Sequence, residues 1–132
     1  MQAVYQWQLA GADTAVIEQE FLAGKSLQRA DSEYFSEALR AVTKRCEELD
    51  ALFSDALDRD FAALDQVERA ILRLGAWELS QRLDVPYRVV INEWVELAKT
   101  FGAEESHKYI NSILDGLAEQ LRAVEKNADG RV

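Results

Sequence analysis

A chain of 132 residues is one ordinary domain, long enough to bury about two-thirds of the surface it exposes when unfolded. With 48% hydrophobic and 30% charged residues it is not a disordered segment, and 24 acidic against 15 basic residues leave a net charge of −9. That charge argues against a generic nucleic-acid binder, whose affinity comes largely from neutralising phosphates, while leaving room for a local basic or aromatic surface.

A single cysteine, Cys46, excludes an internal disulfide framework and fits a reducing compartment. No apolar run approaches the roughly 20 residues that span a bilayer and no signal-peptide pattern begins the chain, so a cytoplasmic protein that does not enter a membrane is expected. One proline and six glycines leave few interruptions, and no strand-like alternation is visible, so the expected fold class is all-α.

Met1 to Leu9 reads as a helix, with Ala3, Val4 and Trp7 on one face and Tyr5 with Leu9 on another. It begins without a cap, as if residues upstream were missing, and Gly11-Ala12-Asp13 breaks it. Thr14 caps a second, short helix through Leu22, and Gly24 is placed to stop it. Gly24 to Ala30 reads as a polar linker. Asp31 or Ser32 opens the longest periodic segment, in which Phe35, Leu39, Val42, Cys46, Leu49, Phe53 and Leu57 recur at spacings of three and four. Two readings fit: one long helix, or two broken near Lys44 to Glu48. Residues 58–64 connect it to the next helix.

Val67 to Leu79 is apolar around most of its circumference, with Glu68, Arg69 and Arg73 confined to an arc of roughly 140°. Such a helix must be buried on several sides. Asp65 and Glu68 form a capping pair at its start, and Leu83-Asp84-Val85-Pro86 ends it. Glu78 projects among apolar rows, where a bare carboxylate is costly, so it is expected to be hydrogen-bonded, with the free N–H groups after Pro86 as the suggested donors. Tyr87 to Phe101 follows, burying Val90, Trp94, Leu97, Ala98 and Phe101, and Gly102 stops it. A last helix opens near Glu104 to Ser106 with Ile110, Ile113, Leu114, Leu117 and Leu121 inward. From about Val124 the chain turns polar and is expected to fray.

Catalytic signals are thin. His107 has no partner at metal-ligand spacing, and no HExxH, CxxC, phosphate loop or GxSxG is present. A structural or solvated role suits His107, and no cofactor or metal is expected. Around Gly102, Phe101 and the Glu105-Ser106-His107-Lys108-Tyr109 turn place rings beside a lysine at a helix–helix corner. Such a corner can stack a single-stranded base while the ammonium meets phosphate. The plainer reading is that Phe101 and Tyr109 close the core. Arg69 and Arg73, like charges one turn apart, need acidic neighbours. Tyr5 and Glu68 are placed to serve a protein partner, although capping explains Glu68 equally well.

The run Val67-Glu68-x-Ala70-x-Leu72-Arg73, then Glu78-Leu79, Asp84-x-Pro86, Ile91-Asn92-Glu93-x-Val95-Glu96-Leu97-Ala98-Lys99, Phe101-Gly102, and Ser106 with Asn111, resembles the NusB transcription antitermination factors. Ala3-Val4-Tyr5-x-Trp7-x-Leu9 fits the same family. The resemblance implies two small helical subbundles, at about residues 1–60 and 61–124, around a buried central helix in one domain, with 125–132 a frayed tail. It implies a non-enzymatic adaptor that binds NusE, a small-subunit ribosomal protein. With NusE it would recognise single-stranded boxA RNA of ribosomal RNA transcripts and help RNA polymerase to resist termination. On matching positions, Tyr5 and Glu68 would face NusE, while Phe101, Glu105, Lys108 and Tyr109 would lie on or near the RNA.

Three positions depart from the family pattern. The arginine-rich arm usual ahead of the first helix has no counterpart here, the common Asn-Gly pair reads Asn111-Ser112, and Glu105 replaces a frequent aspartate. RNA binding by the chain alone is therefore expected to be weak. Two other readings are a relative of the RNA-docking domain of ribosomal RNA cytosine methyltransferases, and a helical homodimer.

Overall fold

The computed structural model describes residues 1–24, 28–57 and 60–129. Among them the chain is all-α: α1 (Gln2–Ala10), α2 (Thr14–Ala23), α3 (Arg29–Lys44), α4 (Cys46–Ser54), a 3-10 turn (Phe61–Ala63), α5 (Gln66–Gln81), α6 (Tyr87–Phe101), α7 (Ser106–Leu121) and α8 (Ala123–Asp129).

Local chemistry sets most of these ends. Gly11 adopts the left-handed conformation that closes α1, with φ 61°. α2 is capped by Asp13 rather than Thr14, because the Asp13 carboxylate accepts the Ala15 N–H at 2.9 Å. α3 starts two residues before the expected Asp31, at Arg29. Of the expected linker, residues 25–27 lie outside the described residues, as do 58 and 59 of the later connection.

The long periodic segment is two helices, broken at Arg45 (φ −115°, ψ 26°). The break has no glycine or proline. Its sequence mark is a charge reversal: Lys44 suits the C-terminal dipole of α3, and Glu47 with Glu48 suit the start of α4. The apolar stripe crosses the break intact, with Leu39, Val42, Leu49 and Phe53 all buried.

α5 is buried at every position from Ala70 to Leu79 and packs against α1, α3, α4, α6 and α7. At Gly75 an added Cβ would lie 2.7 Å from Leu114 Cδ2, so the glycine is what lets α5 and α7 approach so closely. The capping box predicted at its start is present: Asp65 Oδ1 accepts the Glu68 N–H at 2.7 Å, and Glu68 Oε1 accepts the Asp65 N–H at 3.1 Å.

Polar groups inside this packing are consumed locally. Arg73 forks onto Asp50 at 2.7 and 2.8 Å, which holds its guanidinium above the usual range. Among the described residues Arg69 has no carboxylate partner; it donates to the carbonyls of Phe61, Ala62 and Leu64 and lies over the Phe61 ring. Glu78 is hydrogen-bonded as expected but by other donors, the Tyr34 hydroxyl and the Trp94 indole N–H. Of the N–H groups after Pro86 suggested for that role, that of Tyr87 donates to Glu125 at 3.0 Å and those of Val89 and Val90 to the Pro86 carbonyl.

Glu125 belongs to a latch at the foot of α5. Arg122, 4% exposed, donates to four carbonyls: Leu79 at 2.8 Å, Arg82 at 2.9 Å, Val85 at 3.0 Å and Glu78 at 3.2 Å. Those oxygens lie at the C-terminus of α5 and in the turn after it, where backbone donors run short; the carbonyls of Glu78 and Arg82 also accept the Arg82 and Val85 N–H groups, each at 3.0 Å. Glu125 neutralises Arg122 at 2.6 Å and also caps α6 through Tyr87. Residues 123–129 are helical because Glu125 and Lys126 are tied back, Lys126 to Asp115 at 3.1 Å; residues 130–132 lie outside the described residues.

Candidate nucleic-acid interface

The corner between α6 and α7 is built by two backbone features. At Gly102, the extended C-cap of α6, an added Cβ would come within 2.7 Å of the Ala98 carbonyl oxygen and 3.1 Å of Ser106 Cβ, so a side chain there would clash with the last turn of α6 and press on the first residue of α7. Glu105, with φ 71°, is the one non-glycine residue in the left-handed region among those described. It turns the chain so that α7 starts at once on Ser106.

The side chains of the corner then fall into two groups. Phe101 is 44% exposed, which corrects its expected place on the buried face; α6 ends there, beyond the reach of the core. Lys108 and Glu105 form an exposed ion pair at 2.7 Å. The lysine, and more weakly His107, hold the Glu105 carboxyl below its ordinary value. An exposed pair of this kind contributes little and exchanges readily for another anion. Tyr109 is half-buried with its hydroxyl shielded from solvent, so only part of its ring reaches the surface. His107 is half-buried.

The second group lies at the start of α5. Glu68 is 5% exposed: one carboxylate oxygen closes the capping box and the other accepts the Ser106 hydroxyl at 3.1 Å. It fastens the first turn of α5 to the first turn of α7. Tyr5 is half-buried on α1, and Gln8, one turn further along that helix, donates to the carbonyl and side-chain oxygens of Gln66 at 2.8 and 3.1 Å. Tyr5 therefore lies on the side of α1 that meets the start of α5. The structure thus brings Phe101, Glu105, Lys108 and Tyr109 to one corner, and Glu68 is bonded beneath it rather than open to solvent.

Sequence reasoning missed Ser106 as the partner of Glu68, and it missed Arg122 altogether. A lone arginine in a polar tail carries no periodic signal that distinguishes it from a solvated one. Among the described residues no group of three His, Cys, Asp or Glu side chains could hold a metal ion, and no helix is long and apolar enough to cross a membrane.

Comparison with known proteins agrees with the residue pattern. The sequence profile of the NusB family matches residues 1–119. The transcription antitermination protein NusB of Alcanivorax borkumensis is 56% identical over 125 residues, which cover 95% of this chain and 83% of that one. The protein of the same description from Edwardsiella ictaluri is 48% identical over 126 residues, covering 96% and 91%. In structure, NusB of T. maritima superposes with a TM-score of 0.79 at 30% identity, covering 89% of this chain and 84% of that one. These relatives are regulatory proteins and not enzymes. With the family's residues, helices and packing all in place along nearly the whole chain, this protein belongs to the NusB family.

Proposed function

We propose that the chain is a transcription antitermination adaptor that, together with NusE, binds single-stranded boxA RNA of ribosomal RNA transcripts and helps the RNA polymerase elongation complex to resist termination. The observation that carries this reading is the corner of exposed Phe101, exposed Lys108 and part-exposed Tyr109 on an otherwise acidic protein. Rings supply stacking that tolerates any base, and an ammonium supplies a phosphate contact. Lys108 reaches phosphate by giving up its exposed bond to Glu105, which costs little.

One lysine does not neutralise many phosphates, and the net charge of −9 repels the rest. Affinity then depends on a basic companion seated beside the corner. Tyr5 gives NusE a ring to pack on next to the start of α5, and Glu68 serves that face indirectly by holding α5 and α7 in register through Ser106.

The deciding experiment titrates labelled boxA RNA with the chain alone and with NusE present, at stated salt. Weak binding alone and much tighter binding with NusE is the expected result. Equal affinity in both would overturn the coupling, and light scattering on the same samples separates a homodimer from the mixed complex.

A further inference from the structure

A cavity of about 330 Å³ opens between α1, α3, α5 and α6. That size suits a small molecule, with room for about ten water-sized groups. Its walls are largely apolar and aromatic, Tyr34, Phe35, Trp77 and Trp94 among them, and two carboxylates line it, Asp31 and Glu78; among the described residues no lysine, arginine or histidine does.

Glu78 is the unusual member. It is 9% exposed, and its hydrogen-bond donors are neutral, the Tyr34 hydroxyl and the Trp94 indole. The acids Glu18, Asp50 and Glu125 each face an arginine, and buried Glu68 sits at a helix N-terminus where the dipole favours it. Among the described residues no lysine or arginine pairs with Glu78. A carboxylate has about four acceptor positions, and the two neutral donors occupy half of them. Burying negative charge against neutral donors is costly, and a cation in the adjoining space offsets that cost. The faces of the surrounding rings are also electron-rich and attract cations.

We propose that this cavity is a binding site for a small organic ammonium ion with an apolar body. The ammonium donates to the free acceptor positions of Glu78, the body lies against Trp77 and Trp94, and Asp31 draws the cation in from the rim. A neighbouring cleft shares Met1, Ala3, Phe21 and Phe35 with the cavity and ends at Phe101.

Titrating the folded chain with benzylammonium chloride, read through the indole N–H resonances, tests this, with sodium chloride at equal ionic strength as the blank. Saturable shifts of Trp94 and Trp77, with Trp7 unmoved, are expected at millimolar concentration, and phenylacetate, similar in size and opposite in charge, should produce none. Glu78→Gln should weaken benzylammonium binding at least about fivefold. Because Glu78 also ties α3 to α6, its folding is checked by circular dichroism. Asp31→Asn, at the exposed rim, gives a second variant with an expected loss of about twofold. No saturable shift with benzylammonium, or equal binding of phenylacetate, overturns the site; so does wild-type affinity in folded Glu78→Gln, or in Asp31→Asn where Glu78→Gln does not fold.

Discussion

The foot of α5 and the corner between α6 and α7 use the same kinds of residue to opposite ends. At the foot, Arg122 spends its donors on four carbonyls and Glu125, and it is 4% exposed. At the corner, Lys108 has one exposed carboxylate for company, and Phe101 covers nothing with almost half its surface. A buried charge whose donors are all engaged is committed to the fold. A charge held by a single solvated bond can be given to something else. Arg122 is therefore committed to stability, while Lys108 and Phe101 remain available at the surface.

Five changes break or sharpen that contrast. The largest effect is expected from Arg122→Ala, which takes a donor from four carbonyls around the end of α5 and leaves Glu125 without its cation. A loss of about 3–5 kcal/mol of folding stability should appear in denaturant midpoints. Gly102→Ala acts on the corner itself: the new Cβ meets the Ala98 carbonyl and crowds Ser106, so the end of α6 and the turn into α7 must shift, at a cost of about 1–3 kcal/mol in stability together with weaker RNA binding. If RNA affinity is unaffected while stability falls, the corner is not the contact surface.

Tyr109→Ala separates the two uses of a half-buried ring. Loss of about 1–3 kcal/mol of RNA affinity in a chain that still folds marks stacking, whereas a drop in thermal midpoint with RNA affinity kept marks a core role. Glu125 offers a test by pH. Burial pushes its carboxyl up, but the Tyr87 N–H and Arg122 outweigh burial and hold it below the ordinary value of 4.5. A depressed folded value means that the stabilisation is present above the unfolded value and is lost as pH falls through the folded one. Glu125→Gln should therefore lower stability at neutral pH by about 1 kcal/mol, given that a third of the side chain is exposed, and flatten the decline below pH 4.5. The smallest effect belongs to Lys108→Ala, which should leave stability within about 0.5 kcal/mol of wild type and reduce the salt slope of RNA binding by about one.

Much of this was legible in the sequence, and the legible part has a common cause. Periodicity of apolar residues placed α5, α6 and α7, and the Asp65 and Glu68 pair marked the start of α5, because these signals act over three or four residues. The family pattern was readable for the same reason: its motifs lie within single helices or the turns between them. What the sequence could not supply were partnerships across long stretches of chain. Glu78 lies 44 residues from Tyr34 and 16 from Trp94, and Arg122 reaches back 43 residues to Leu79. Nothing local distinguishes an arginine that will cap a distant helix from one that will remain in water. Phe101 shows the converse, since its spacing put it on a core-facing row and only the end of the helix left it outside.

The amino-acid sequence by itself therefore determined the helices, their burial pattern and the family, since those follow from short-range backbone and hydrophobic preferences. Tertiary structure alone decided which charges are consumed and which remain available, because desolvation and hydrogen-bond satisfaction depend on what neighbouring helices bring into contact.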